Sequence, residues 1–556
     1  MPAIHEDARL KKHIGMLVLF LIWATACTAM PAAQSSLLSN FGPIPITRTP
    51  FQPVAWTPTP VFTPTPTPPP YSLWTDPDLP PSLIDQIKIP GEFGWSSQPQ
   101  NATLRLEPGG SQPVSQWVYA LVAPFPTVTD GVAAEDLRAT WNGEARGDFA
   151  GIPLMMTEST LGMLTALWGE PSPGSVRVLS SGELVQTAWD ARPSWAIVPF
   201  DELDPRWKVL AIDGQSPIHK NFDPAAYPLI VPISLIGVTP VQPQIPAGNR
   251  VPEKLTVVAM TGVTALVRAT AFTMETHGIT YPARDIGGWL QDADITHISN
   301  EVPFAEDCPY PNPVQEGMRF CSDERYIELL EYVGTDVVEL TGDHFSDWGP
   351  EALLYTLDLY DERGWPYYGG GADYESGKQA VTFTHNGNRI AFIGCNAKGG
   401  GYARASDSTP GAVACDFDWM QSEIRRLTEA GYQVIGTFQH FEYYTYAAQP
   451  DQIRDAGRLT EAGAAIVSGS QAHQPQAFEF SNGGFVHHGL GNLFFDQLDV
   501  SNSTRQGFID LHVFYDNRHI STELLTIYFI DYARARPMTP AERVELLTAV
   551  FQASGW

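Results

Sequence analysis

Positive charge is scarce in this chain. Lys and Arg number 33 against 62 Asp and Glu, a formal net charge of −29. An excess of that size leaves no basic patch of the kind a phosphate-backbone binder needs, which argues against a nucleic-acid partner. It leaves open a local anion site built from backbone N–H groups. Cysteine is scarce too. Five in 556 residues are too few for a disulfide-built scaffold, though they allow two pairs and one remainder. The apolar run near the N-terminus, Ile14 to Ala26, is too short to span a bilayer comfortably as a mature helix. What the chain does have is a hydrophobic content of 43% and an aromatic content of 11%, the composition of a folded protein. Its 556 residues suffice for two to four domains.

Arg9, Lys11 and Lys12 precede the apolar run, and Ala24-Thr25-Ala26-Cys27 follows or ends it. This order reads as an export signal. Small residues just before a Cys are similar to the lipobox of bacterial lipoproteins. That likeness implies a lipoprotein signal peptide over residues 1–27, cleaved before Cys27, with a lipid on Cys27 and an extracytoplasmic, membrane-anchored location; a plain signal peptide with an incidental Cys is the alternative. Residues 28–70 lack apolar periodicity. Thr57-Pro58-Thr59-Pro60 and the run from Thr63 to Pro70 read as a polyproline II spacer, because Pro fixes φ and offers no N–H.

Residues 71–245 alternate strand-like and helix-like runs, the pattern of an α/β domain. Trp117–Ala123 and Ser194–Phe200 read as strands, and Ala133–Trp141 and Ser159–Trp168 as helices. The phrases around Tyr119–Asp130, Ala196–Leu203 and Val209–Gly214 resemble the phosphate-binding type of periplasmic solute-binding fold. The resemblance implies two lobes and a cleft for a small anionic ligand. Thr157, Ser159 and Thr160 are the candidate donors, with simple helix capping as the alternative.

Residues 252–533 carry the stronger signal. Seven apolar runs read as strands: 255–262, 293–303, 336–344, 389–396, 433–440, 464–473 and 485–492. Nearly every one ends in Asn, Asp, Glu or His. Ligands of open α/β sheets gather at the carboxyl ends of strands, so these polar ends are expected to converge. Imidazoles and carboxylates gathered in that way suit Mn, Zn or Fe, singly or in pairs.

The series Thr261-Gly262, Ser299-Asn300-Glu301, Leu340-Thr-Gly-Asp343-His344, Gly394-Cys-Asn396, Gln439-His440-Phe-Glu442-Tyr443, Gly469-Ser-Gln471-Ala-His473-Gln-Pro-Gln476 and Gly489-Leu-Gly-Asn492-Leu-Phe-Phe-Asp-Gln497 resembles the CapA family of capsule and poly-γ-glutamate synthesis proteins. The resemblance implies a calcineurin-like metallophosphoesterase fold, a β-sandwich with flanking helices, preceded here by the smaller solute-binding-like α/β domain. It implies a divalent metal on Glu301, Asp343, His344, His440, Glu442 and His473. His344, His473 and Asn300 would be catalytic, and Asn396, Asn492 and Gln471 would contact substrate. Three departures stand out. Val263 replaces a family Asp that ligates metal, Asp343 replaces an Asn, and Gln471 replaces a His. With two ligands gone, a two-metal site could fall to one ion or to none. Hydrolase or transferase action on a cell-surface polymer, with a polymer synthase as partner, therefore stands beside non-catalytic binding of an anionic ligand.

Cys308 and Cys321 flank a Pro-rich excursion, and Cys395 and Cys415 flank a Gly/Ser-rich loop. Export permits disulfides, and the expected pairs are 308–321 and 395–415, with Cys27 left for lipid. The tail 534–556 contains a helix-like stretch, Pro540 to Ala553, expected to pack on the body.

Overall fold

The computed structural model describes residues 69–144 and 146–556. The export signal, the lipid at Cys27 and all but the end of the Thr/Pro spacer lie outside the described residues.

Two sheets form the frame of the 252–533 segment. The first runs Tyr367–Tyr368, Val337–Glu339, Ile295–Asn300, Leu255–Thr261, Gln506–Tyr515, Arg518–Ile530, Arg534–Pro537. Its first four strands are mutually parallel, and the last three join antiparallel. The second runs Val381–His385, Asn388–Asn396, Gln433–Gln439, Ile466–Ser468, Gly484–His487, Phe478–Ser481, parallel in its middle and antiparallel at both edges. Asn-Gly pairs turn the edge hairpins: Asn386-Gly387 and Asn482-Gly483 have φ values of 49°, 80°, 50° and 84°, the left-handed pair that two-residue hairpins require.

The strand period sorts side chains into layers. Val258, Met260, Val337, Ile390, Phe392, Ile435, Ile466 and Phe485 meet between the two sheets. Their neighbours point outward. Ala259, Ile298 and Val338 pack under the helices Arg268–His277, Ile327–Tyr332 and Pro350–Arg363. Ala391, Ile393, Val434, Val467 and Val486 pack under Phe417–Glu429 and Pro450–Glu461. Helix, sheet, sheet, helix is the layered sandwich that the resemblance implied.

Most expected strands are observed, with two differences. The runs 336–344, 464–473 and 485–492 are strands only over Val337–Glu339, Ile466–Ser468 and Gly484–His487. The polar ends of the first two continue as loops, because Gly342 and Gly469 approach neighbouring backbone too closely to remain in a ladder; a Cβ on Gly342 would lie 2.8 Å from Glu301 Cα. The long hairpin Gln506–Ile530 has no counterpart in the sequence reading.

The 71–245 segment builds a nine-stranded mixed sheet. Pro113–Pro124, Trp195–Pro199, Ala134–Trp141 and Glu158–Trp168 are observed close to where they were expected. This segment shares a core with the sandwich through Leu255, Val257, Val513, Tyr515 and Ile520. Phe125, at the end of the Pro113–Pro124 strand, stands edge-on to Phe478, Phe480, Phe485, Phe551 and Trp556. The tail helix Pro540–Ala553, opened by a Thr539–Glu542 capping box, buries Leu546, Leu547, Val550 and Phe551 in the same region. Among the described residues no helix is long and apolar enough to cross a membrane.

Candidate metal centre

Parallel pairing places the ends of the central strands of both sheets along one edge, and there the polar residues gather. Glu301 follows the Ile295–Asn300 strand directly, and its backbone N–H donates to the Thr264 carbonyl at 2.9 Å. Asp343 and His344 arrive on the loop after Val337–Glu339, brought against Glu301 by the side-chain-free Gly342. One donor atom each from Glu301, Asp343 and His344 lies within 4.8 Å of the others. His473 joins through Glu301, its Nε2 standing 3.8 Å from Glu301 Oε1.

Both imidazoles are oriented by a second residue. His344 Nδ1 lies 2.7 Å from Asp347 Oδ2 and donates to it, leaving Nε2 as its free nitrogen. His473 Nδ1 lies 2.9 Å from Asn492 Oδ1. The Asn492 amide nitrogen donates to the carbonyls of His473 and Thr504, so its oxygen is the acceptor and the His473 Nδ1 carries the proton. Metal-ligating histidines are held in just this way, by the ring nitrogen that does not face the ion. Phe320 and Phe495 pack on the two rings at centroid distances of 4.9 and 5.2 Å.

Electrostatics points the same way. Glu301 is 1% exposed and its Oε1 has no hydrogen-bond partner. Burial pushes its carboxyl pKa up, against the pull of His473 and His344. A buried carboxylate oxygen without a partner is a costly arrangement that a cation would relieve. Burial opposes protonation of His344. The Asp347 hydrogen bond and the charges of Glu301, Asp343 and Asp347 outweigh it and raise the imidazole to about 9. The donor chemistry, oxygen plus imidazole nitrogen, fits Mn, Zn or Fe.

Other residues read as ligands or contacts are placed differently. The His440 ring lies 3.7 Å from both Asp451 and Asp455 on the Pro450–Glu461 helix, outside the three-residue group, and burial holds its pKa low. Glu442 is separated from that group by an ammonium, since Lys398 Nζ contacts both Glu442 and Asp343. Asn300 gives its amide to the Val302 carbonyl and the Tyr360 hydroxyl. Asn396 gives its amide to the Thr341 carbonyl and Gln439 Oε1. Gln471 donates to Ser299 Oγ at 2.6 Å, and its Oε1 is buried without a partner. Val263 is fully buried among Ala265, Val267, Val302, Phe320 and Phe495, in an apolar patch beside the centre. Both expected disulfides, Cys308–Cys321 and Cys395–Cys415, are formed. In the first segment Thr157 caps its helix by accepting from the Thr160 N–H, and Ser159 donates to the Asp78 carbonyl.

Four residues of the centre escaped the sequence reading. Asp347 orients His344 from three positions on, a spacing that could have been noticed. Glu339, fully buried, contacts His297, Thr341 and Ser470 beneath the site. Arg268 pairs with Asp496 and lies over Phe320 and Phe495, at 5.3 and 5.0 Å from their ring centroids. Lys398 follows Asn396 by two positions and carries no signal of its own.

Comparison with known proteins bears on this segment. Residues 257–497 match the model of a family described as bacterial capsule synthesis protein PGA_cap. The capsule biosynthesis protein CapA of Bacillus anthracis is 27% identical over 278 residues, which cover 48% of this chain and 67% of that protein. The PGA biosynthesis protein CapA of Bacillus subtilis (strain 168) is 25% identical over 182 residues, 32% of this chain and less than half, 47%, of that protein. Among solved structures, a 5′-nucleotidase precursor from Thermus thermophilus aligns with 53% of this chain and 58% of its own at 12% identity and a TM-score of 0.30. An ABC-type phosphate transport receptor from Vibrio cholerae aligns with 25% of this chain and 68% of its own at 13% identity and a TM-score of 0.23.

Proposed function

We propose, on the premise that this chain belongs to the CapA capsule-synthesis family through its 257–497 domain, that it acts outside the cytoplasm in making or handling a surface polymer. The polymer is of the capsule or poly-γ-glutamate type, and the step is a metal-dependent hydrolysis or transfer. The observation that carries the reading is the pair of imidazoles, each tied at Nδ1 and free at Nε2, beside the partnerless Glu301 oxygen. Glu301, Asp343 and His344 hold the ion, with His473 joining through Glu301. Bound there, Mn, Zn or Fe supplies Lewis acidity toward a phosphoryl or carbonyl oxygen. Asp347 and Asn492 fix the two rings, so little reorganisation is needed when the site loads. Phe320, Phe495 and Val263 form an apolar wall that limits water beside the centre.

Two disulfides agree with an oxidising compartment. Lipid at Cys27 and the Thr/Pro spacer complete the reading by holding the body off a membrane face, within reach of a polymer synthase. The net charge of −29 repels a polyanion at long range, so engagement of such a polymer depends on the local positive charge of the metal.

One observation favours a second reading. Val263 and Gln471 stand where the family resemblance implies ligands, and the Gln471 amide is engaged by Ser299. This favours a binding protein that recognises an anionic ligand without turnover. Hydrolysis of bis(p-nitrophenyl) phosphate by the full chain with added Mn or Zn separates the two. Metal-dependent turnover that disappears in Glu301→Gln supports the enzyme. Polymer affinity without turnover of any tested ester supports the binder.

A further inference from the structure

The centre has two places for positive charge, and the chain fills one of them itself. Lys398 Nζ lies 2.6 Å from Asp343 Oδ2 and 2.6 Å from Glu442 Oε1, and its side chain is 4% exposed. The rings of Tyr402 and Phe441 stand 4.7 and 5.8 Å from the same ammonium, an arrangement that favours a cation. Its position is built. The Lys398 backbone N–H donates to Asn396 Oδ1, Asn396 donates to Gln439 Oε1, and Gln439 donates to Asp343 Oδ1, at 2.9, 2.9 and 2.8 Å. The chain of bonds thus begins and ends on the ion pair. The other place is at Glu301, whose buried Oε1 has no partner and faces His473 Nε2 at 3.8 Å.

An ammonium and a divalent ion cannot share the gap between the Asp343 and Glu442 carboxylates, because like charges at contact repel strongly in a partly desolvated site. Paired metals in hydrolytic sites sit about 3.5–4 Å apart and need ligands on both sides. Here an ammonium already occupies the gap between the two carboxylates on one side.

We propose that Lys398 is a built-in cation that keeps metal out of the Asp343–Glu442 place, so that the centre takes a single divalent ion, in the Glu301, Asp343 and His344 group with His473 beside Glu301. The count of one rests on the metal-enzyme reading above; the exclusion by Lys398 does not. The fixed ammonium offsets carboxylate charge at the centre whatever the metal supply.

The test is a metal count on the full chain, by elemental mass spectrometry after loading with Mn or Zn and removal of the excess. Wild type should hold one ion per chain and Lys398→Arg one. Lys398→Met should hold two, the second more weakly bound. Glu442→Gln should match wild type, since Glu442 faces the lysine rather than the ion. Two ions in wild type would overturn the proposal, as would equal counts in wild type and Lys398→Met. A lower count in Glu442→Gln would also overturn it, and that half-buried position keeps the test decisive should Lys398→Met fail to fold. No ion in wild type with one in Lys398→Met would support the lysine's role and overturn the metal-enzyme reading. No ion in either would overturn both.

Discussion

His473 and Asn492 are bonded to each other twice. The ring Nδ1 meets Asn492 Oδ1 at 2.9 Å, and the Asn492 amide returns to the His473 carbonyl at 3.2 Å. Side chain and backbone of the same histidine are fixed by one residue, which arrives on the separate strand Asn492–Phe494.

Replacing Asn492 by Ala should therefore release the His473 ring without removing any ligand. Orienting partners of this kind are worth about 10–100-fold in metal affinity. A competition titration with a fluorescent chelator should record a loss in that range for Asn492→Ala. Asn492→Asp, which keeps the acceptor oxygen, should lose less. Equal affinity in all three proteins would remove His473 from the ligand set.

Glu301→Gln should act with opposite signs on the empty and the loaded protein. Burial raises the Glu301 carboxyl pKa, so the folded state holds its proton to higher pH than the unfolded chain does. That part of the stability is full in acid and is lost as pH rises through the folded value. At neutral pH without metal the neutral amide removes this penalty, and stability should rise by about 1–3 kcal/mol. With Mn or Zn present the variant should lose the ligand-induced gain of wild type. Denaturant melts with and without chelator check both signs.

The hairpin Gln506–Ile530 sets the acid limit of the fold through two neighbouring histidines. His519 is fully enclosed, and burial drives its pKa down to about 4, against the pull of its bond to the Ser521 carbonyl and of the Asp204 charge. His512, beside it at 5.4 Å, is lowered mainly by burial and also by the His519 charge. Phe485 and Phe514 pack against the His519 ring and the Thr522 hydroxyl bonds its Nε2, while His487 adds to the lowering at His512. A folded pKa below the unfolded value of about 6.5 means the unfolded chain binds the extra proton first. Stability should fall as pH drops from about 6.5 to 4, by roughly 3 kcal/mol from His519 alone. In His519→Gln the same acid limb should be shallower by about that amount, as read from denaturant midpoints at each pH.

Removing the Cys395–Cys415 bridge should weaken both fold and site. Its sequence separation is 20, for which the loop-entropy estimate is about 3 kcal/mol. The Cys415 N–H also bonds the carbonyl of Asn396, whose side chain positions Lys398. The double variant Cys395→Ala/Cys415→Ala should lose about 3 kcal/mol in denaturant melts and, by loosening the Lys398 ion pair, shift the metal count toward that of Lys398→Met. Cys308→Ala/Cys321→Ala should leave the Lys398 ion pair intact.

Strand ends such as Thr261, Asn300-Glu301, Asn396 and Gln439 were legible because each closes an apolar, β-branched run, and that period is a local property of the chain. The hairpin 506–530 was missed because His512, Asp510 and His519 interrupt its apolar pattern, and they are buried only after the first sheet closes over them. His440 was read as a ligand from its place at a strand end. The helix Pro450–Glu461 brings Asp451 and Asp455 to it instead.

The order of polar strand ends and the two expected disulfide pairs were legible in the sequence, since hydrophobic period and residue type act over a few positions, and the layered sandwich came with the family resemblance that those strand ends carry. The composition of the centre was not. Lys398 reaches Asp343 and Glu442 across 55 and 44 residues, from a glycine-rich loop where a lysine ordinarily lies in water. Only the face-to-face packing of the two sheets, with their strand ends along one edge, brings those three charges together and removes the solvent that would screen them. That loss of screening makes an ion pair out of three residues that are unrelated in sequence.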